Sequence, residues 1–310
     1  MPPGPSRHLG LDLGATNLKW AVVERDGETW TTLAHGQLPT DDAEGGDAVI
    51  GRMEETALQA RASWPGIESI GVGVPGLFDA ESGVTTFLPN LPSDWTNRAV
   101  AEPLRDRLNV PVRLMNDARA FGLAELRLGA GRGCRTMVGL TLGSGVGGVV
   151  VVDARVHFGH DGTGGEVGHQ TLLPDGPDCT CGNRGCLEAL TRADAVAAAC
   201  GTATAEEAVR AAQSGDRRAL DGLAEIGRWL GLGIANLIVV LTPDRVVLGG
   251  GIAGAGDLLL DPIRAEVRNR VRVTDLDAVE IVTAELGTWA GSIGAGVHGA
   301  ETPAPVAAAT

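Results

Sequence analysis

Along residues 8–13 of this chain the pattern alternates, with leucines at 9, 11 and 13, and it breaks at Gly14. It resumes as "LKWAVVERDGETW" (18–30), so a period of two predicts a strand, a tight glycine turn and a second strand closing on the Asp26–Gly27 turn. The phrase returns later: "GLDLGATN" (10–17) is echoed by "GLTLGSG" (139–145), and "VGGVVVVDARV" follows as the partner strand. Elsewhere the period lengthens. Residues 47–63 space Ile50, Met53, Ala57 and Leu58 as one helix, stopped by Pro65. "SIGVGVPG" predicts a strand, "AVAEPLRDRLN" a helix, "VPVRLMND" a strand and "ARAFGLAELRLG" a helix ending at Gly129. Residues 161–188 read as an ordered loop and 192–241 as helical, with "EIGRWLGLGIANLIVVL" the most buried stretch. "DRVVLGGG" is a strand, "DLLLDPIRAEVRNRV" a helix, "VEIVTAEL" a strand and "WAGSIGAGVHGA" a closing helix.

Both halves thus open with a hairpin and continue with alternating helices and strands, as a duplicated α/β domain does. At 310 residues the chain exceeds the size at which single cores usually divide. The expected boundaries are 1–117 for the first domain, completed by a C-terminal helix at 288–300, and 118–287 for the second, with a special loop at 164–188. A formal charge of −14 without a Lys/Arg run works against nucleic-acid binding. No apolar run approaches the roughly 18 residues of a membrane span, and "MPPGPSRHLG" lacks a signal peptide's apolar core, so a cytoplasmic protein is expected.

Stretches that satisfy G-x-G-x-x-G include Gly71/Gly73/Gly76, Gly143/Gly145/Gly148 and Gly249/Gly251/Gly254. A dinucleotide fingerprint also needs a strand before and a helix after. The first runs into Pro75 and the second into "VVVV"; the third passes from strand to helix and remains open as a nucleotide contact or as close helix–strand packing. It is also the one feature favouring an NAD-dependent oxidoreductase. No Walker-type phosphate loop occurs. The two glycine turns can instead hold phosphate through backbone N–H groups. Asp12 in one copy then suits a hydrated Mg²⁺, and Thr141 in the other suits a phosphate oxygen.

Of five cysteines, Cys179, Cys181 and Cys186 crowd together; Cys134 and Cys200 read as packing residues. With His169 the three offer a Cys₃His zinc set, although the spacing differs from the common C-x₂-C and buried free thiols are the alternative. Glu166, His169 and Glu188 bracket this cluster, and a metal-fixed loop would aim them at a polyhydroxylated ligand. Asn116 and Asp117 end an apolar strand. Either can cap the next helix, and Asp117 also suits the base that accepts a hydroxyl proton in phosphoryl transfer.

Together these segments resemble the ROK family of bacterial sugar kinases and repressors, in the actin/hexokinase superfamily. "LDLGATN" and "LTLGSGVGG" resemble its phosphate motifs, "GVGVPGLFD" and "FLPN" its sugar-side loops, and "MNDARA" its catalytic segment. "GEVGH…CTCGNRGCLE" resembles its zinc signature and "VVLGGGIA" its adenosine-side motif. The resemblance implies two duplicated actin-like (ribonuclease H-like) α/β domains with a cleft between them. It makes Asp117 the general base and gives the sugar to Asn90, Asn116, Asp117, Glu166, His169 and Glu188. It gives ATP and Mg²⁺ to Asp12, Gly14, Ala15, Thr16, Asn17, Thr141, Gly143, Ser144, Gly145, Gly249, Gly250, Gly251 and Ile252, and structural Zn²⁺ to His169, Cys179, Cys181 and Cys186. Ala15 departs from the family's usual glycine. The implied activity is phosphorylation of a hexose at its primary hydroxyl, glucose first, with N-acetylmannosamine, another hexose or a cyclitol as alternatives and polyphosphate an alternative donor. Trp95, in the sugar-side loop, would bulk the wall near the sugar's 2-position. A homo-oligomer, dimer or tetramer, is expected. The family's repressors carry an N-terminal helix-turn-helix domain, for which a first strand near residue 8 leaves no room.

Overall fold

The computed structural model describes residues 4–89, 91 and 93–301. The chain divides into two units, Met1–Ala124 with Trp289–Thr310, and Glu125–Thr288. Unit 1 opens with the meander β1 (Ser6–Leu13), β2 (Asn17–Asp26) and β3 (Thr29–Pro39), followed by α1 (Gly46–Ser63) and β4 (Ile67–Val74). Next come β5 (Leu77–Asp79), β6 (Val84–Phe87) and β7 (Arg98–Ala99), then α2 (Ala101–Leu108), β8 (Val112–Asn116) and α3 (Asp117–Leu128), whose last turn belongs to unit 2. Strands β5–β7 form a small sheet within the region read from sequence as loops; strands of two to four residues are too short to show a period.

Unit 2 repeats the plan with β9 (Met137–Leu142), β10 (Val146–Val152) and β11 (Arg155–Val156). Four helices follow: α4 (Leu187–Thr191), α5 (Ala193–Cys200), α6 (Ala205–Gln213) and α7 (Arg217–Leu241). Strand β12 (Arg245–Gly249), helix α8 (Asp257–Arg270) and strand β13 (Glu280–Thr283) complete it, and α9 (Ala290–Ala300) belongs to unit 1. The five-stranded sheets run β3-β2-β1-β4-β8 and β11-β10-β9-β12-β13. In each, the first three strands are antiparallel neighbours and the last two lie parallel to the first. One topology is therefore written twice, and the repeated sequence phrase occupies the same place in both copies.

The cores follow from the alternation. Leu9, Leu11 and Leu13 of β1 are fully buried with Met53 and Ala57 of α1 and Leu104 of α2, each leucine contributing about 2 kcal/mol by burial. In unit 2 the stripe Leu223, Ile226, Leu230, Ile234 and Ile238 of α7 packs with Val138, Leu140, Val246 and Leu248 of the sheet. Asp216 caps α7 by accepting from the Ala219 amide. By length and composition α7 is the one helix among the described residues that reaches membrane-span dimensions, yet this stripe spends its apolarity on the core. Glu125 is fully buried with its carboxylate on the amides of Ala130, Glu285 and Leu286, three donors that compensate the charge taken from water.

Helix α9 meets the first sheet backbone to backbone. A Cβ on Gly10 would lie 1.8 Å from the Ser292 carbonyl oxygen, and one on Gly71 1.7 Å from that of Ala295. The glycine that opens the first G-x-G-x-x-G is thus a packing requirement. Gly71→Ala should cost about 3 kcal/mol in urea unfolding, at the upper end of overpacking effects. Gly51→Ala, exposed in α1 with open space around it, should instead stabilise by about 0.5–1 kcal/mol. Similar effects from both changes would contradict the backbone-contact explanation.

Candidate active site

The two glycine turns are three residues each, 14–16 between β1 and β2 and 143–145 between β9 and β10. Asp12 pairs across the parallel ladder with Gly73, and Thr141 pairs with Gly249, so the two side chains hold equivalent positions one residue before the last of each strand. The Asp12 carboxylate reaches the first turn of α9. A Cβ on Gly291 would lie 2.5 Å from Oδ2, and one on Gly73 3.3 Å from Oδ1, so the two glycines make its room. Burial pushes Asp12 up to about 6, and Lys19 only partly opposes this.

Each turn is braced. In unit 1 the fully buried Thr40 donates its hydroxyl to the Gly14 carbonyl (2.7 Å) and its amide to the Thr16 carbonyl (2.9 Å). Gly14 itself bonds to Asn17 (3.1 Å). Ala15 and Thr16 are exposed, and Ala15 is not among the residues with positive φ, so alanine sits there without strain. In unit 2 the amide of Gly143 bonds to the Gly145 carbonyl, and the Gly143 carbonyl accepts from the Ala193 amide (2.9 Å). Ser144 is exposed. Thr40 escaped the sequence reading because nothing local marks a threonine at a strand's end as a brace for a turn 24 residues earlier.

The third glycine motif divides. Gly250 has φ 87° and lies against Leu142, whose carbonyl oxygen would sit 2.2 Å from an added Cβ. Gly251 faces open space, while the Ile252 side chain is buried in the core of unit 2 and leaves only its main chain for a ligand. Packing explains Gly250 and does not explain Gly251.

Asn116 and Asp117 lie where β8 meets α3. The Asn116 Oδ1 accepts from the amides of Ala118 (3.1 Å) and Arg119 (3.3 Å), which makes Asn116 the cap of α3. Asp117 Oδ1 accepts from the Ala118 amide (2.8 Å). Asn90 lies outside the described residues. Trp95 is buried in the core of unit 1 and donates its indole N–H to Asp42 (2.8 Å). Asp42 also accepts from the amide and hydroxyl of Ser93; burial would raise its pKa, but these donors together hold it below the usual range. A large aromatic next to prolines suggested a wall from sequence; its indole N–H has a buried partner 53 residues away, which local pattern cannot reveal.

His169 ends a 3₁₀ turn (Val167–His169) that packs on the start of β10. Its Nδ1 lies 3.6 Å from Cys179 Sγ, its Nε2 lies 3.9 Å from Glu166, and Cys181 and Cys186 are 3.8 Å apart. All four candidate ligand atoms fall within 4.8 Å of one another. Tetrahedral zinc with bonds near 2.3 Å to sulfur and 2.0–2.1 Å to nitrogen has S···S edges of about 3.8 Å and S···N edges of about 3.6 Å, so the His169–Cys179 and Cys181–Cys186 separations match the ion. Burial pushes the Cys179 thiol up to about 12, so a thiolate there needs a cation beside it. Cys134 and Cys200 are buried elsewhere, Cys200 donating to the Ala219 carbonyl.

Glu188, near the start of α4, is buried with both oxygens engaged. Oε2 accepts from the Val146 amide (2.9 Å), and Oε1 lies 3.2 Å from the Thr180 hydroxyl and 3.5 Å from Cys179 Sγ. Glu166 is exposed. Unit 2 therefore brings Glu166, His169, the cysteines, Glu188 and the second glycine turn into one connected region, and unit 1 gathers Asp12 and the first turn around the start of α9.

Residues 8–298 match the sequence model of the ROK family. A glucokinase of Thermotoga maritima is 36% identical over 308 residues, covering 93% of this chain and 95% of its own. The crystal structure of a ROK hexokinase from Thermus thermophilus matches with a TM-score of 0.80 at 36% identity, over 94% of this chain and 97% of that one. A ROK family glucokinase from Streptomyces griseus, solved in complex with glucose and AMPPNP, matches with a TM-score of 0.78 at 28% identity, over 95% and 99%. With a match spanning nearly the whole chain and the duplicated actin-like topology in both units, the chain belongs to the ROK family.

Proposed function

We propose that this protein is an ATP-dependent kinase that phosphorylates a hexose at its primary hydroxyl, with glucose the preferred acceptor. The observation that carries the reading is the pair of equivalent braced turns with Asp12 in one and Thr141 in the other. Repeated turns of this kind answer the needs of a polyphosphate, and the change from Asp12 to Thr141 on the strands before them answers the need for a metal on one side. Glucokinase similarity over nine-tenths of the chain supports both donor and acceptor.

In this reading the main-chain N–H groups of Gly14–Asn17 and Gly143–Gly145 stabilise charge on the phosphates, and Gly249–Ile252 contact the adenosine side. Mg²⁺ supplies further neutralisation of phosphate charge when bound, and Asp12 would hold it through water. Asp117 accepts the proton of the sugar's primary hydroxyl as the oxygen attacks the γ-phosphorus. Asn90, Asn116, Glu166, His169 and Glu188 hydrogen-bond the remaining hydroxyls. Zn²⁺ is the ion proposed for the Cys₃His cluster, where it would stiffen the loop at 164–188 and leave His169 Nε2 toward Glu166. All five cysteines are free, which accords with a reducing, cytoplasmic setting.

Because Asn116 already caps α3, Asp117→Asn should leave stability within about 0.5 kcal/mol. Turnover should fall by about 10²–10⁴-fold with glucose affinity nearly unchanged, as loss of a general base does. Steady-state rates within a few-fold of the parent would reduce Asp117 to a structural role.

Asp12 separates stability from activity. Its pKa is raised on folding, so the folded state binds its proton more tightly than the unfolded chain does, and the associated stability is complete below about 4 and lost as pH rises through about 6. Asp12→Asn should therefore abolish phosphoryl transfer yet stabilise the protein at pH 7.5 by roughly 1–3 kcal/mol, a gain that shrinks toward pH 4.5. Urea unfolding at the two pH values checks the sign, and a variant less stable at pH 7.5 refutes it.

Coupled assays with ATP and a sugar panel test the acceptor. The expected order of kcat/KM is glucose, then mannose, then N-acetylmannosamine, with a cyclitol included as an alternative ring polyol. A preference for N-acetylmannosamine would reassign the substrate and leave the kinase reading intact, while no transfer to any sugar would defeat both.

A further inference from the structure

Residues 186–193 and the second glycine turn are joined at two points that no motif announces. Glu188 Oε2 accepts the Val146 amide immediately after the turn, and the Ala193 amide donates to the Gly143 carbonyl at its start. A side chain on Gly145 between them would displace the Glu188 carboxylate, since a Cβ would lie 2.6 Å from Oε2. On its other side Glu188 is tied to the metal cluster: Oε1 receives the hydroxyl of Thr180, which stands between the ligands Cys179 and Cys181. That donation persists when Cys179 gives up its own proton to become a metal ligand.

We propose that Glu188 is a positioning residue for the phosphate-side turn, through which the metal-bearing loop sets affinity for nucleotide as well as the architecture of the sugar site. The inference rests on the kinase reading above and extends it from acceptor to donor. Its physical basis is the cost of holding a short turn still. Three residues of backbone lose conformational entropy when fixed. A charge-assisted bond to Val146 in a buried setting offsets a sizeable part of that. Removing the ion frees the cysteines, loosens Thr180 and lets Glu188 swing, and the turn is then ordered at the expense of nucleotide binding.

Conservative replacement separates positioning from charge. In Glu188→Gln the amide oxygen still accepts from Val146, and the amide NH₂ can donate to Thr180, whose hydroxyl oxygen accepts equally well. Glu188→Ala loses both links, and Thr180→Val loses only the link toward the metal.

The experiment uses the full chain, zinc-loaded or zinc-stripped, with AMPPNP·Mg²⁺ as probe and no sugar present. It reads calorimetric affinity, zinc content and hydrogen exchange at the Val146 amide. Stripping the parent should weaken AMPPNP about 10-fold, within the usual range of coupling between sites, and speed exchange at Val146. Glu188→Ala should do the same while still holding one zinc, and stripping it should add little. Thr180→Val should bind AMPPNP less sensitively to zinc than the parent does. Glu188→Gln should stay within about 3-fold of the parent for AMPPNP even if its KM for glucose changes. The proposal is overturned if stripping changes glucose affinity alone, or if Glu188→Ala leaves both AMPPNP affinity and Val146 exchange at parental values. A parent that binds no AMPPNP and phosphorylates no sugar would instead defeat the kinase reading, and the exchange measurement would still decide whether zinc and Glu188 hold the turn.

Discussion

A glycine turn grips an anion with its main chain only while that main chain is held in place, and this constraint organises both units. The turn itself has almost no side chain with which to anchor. Anchors therefore come from outside: Thr40 on the carbonyls of Gly14 and Thr16 in the first unit, and Glu188 and Ala193 on Val146 and Gly143 in the second. The chemistry of the anchors differs although the turns hold equivalent places in the topology. A threonine offers one bond from its hydroxyl and one from its amide, each worth about 1 kcal/mol net, whereas a buried carboxylate makes a stronger bond but must have its charge satisfied. Thr180 and the Cys/His loop supply that satisfaction. The second turn is thereby tied to the Cys/His cluster, and the first is not.

What could be read in the sequence was what repeats or alternates. The two hairpins, the helix at 47–63, the helical character of 192–241 though not its division into α5, α6 and α7, and the closing glycine-rich helix follow from period and punctuation, and the Cys/His cluster follows from composition. Failures cluster where a role depends on contacts far apart in the chain. Trp95 looked like a wall because its neighbours are prolines, but Asp42 holds its indole in the core. Glu188 was legible as a carboxylate beside a metal loop; its bond to Val146, 42 residues away, was not. The choice between Asn116 and Asp117 as helix cap could not be made from adjacent residues with similar capping propensity, and the hydrogen bonds to Ala118 and Arg119 give it to Asn116.

Glycine carried three separate meanings, and only geometry sorts them. Gly71 admits the backbone of α9, Gly73 and Gly291 make room for a carboxylate, and Gly145 makes room for another. A pattern search sees one motif at Gly71, Gly73 and Gly145 alike. The fingerprint at 71–76 is accordingly a by-product of α9 lying on the sheet, whereas Gly251, with open space about it, is a glycine that packing leaves unexplained.

The divergence of Asp12 from Thr141 is the deepest departure from the internal repeat, and it has an energetic cost. Gly291 lies in the first turn of α9, where the helix dipole favours a nearby carboxylate by about 0.3–1 kcal/mol, up to ~2 when partly buried. Lys19 adds a further attraction, yet burial still outweighs both and leaves the pKa near 6. The folded protein thus maintains at neutral pH a carboxylate whose charge its own groups do not fully compensate. A threonine at the equivalent place in unit 2 carries no such penalty. On the proposed reading a divalent cation would complete this uncompensated carboxylate, which sits in the room made by Gly73 and Gly291. The same imbalance accompanies the change from an acid to a hydroxyl between the two copies of the duplicated phrase, Asp12 in one and Thr141 in the other.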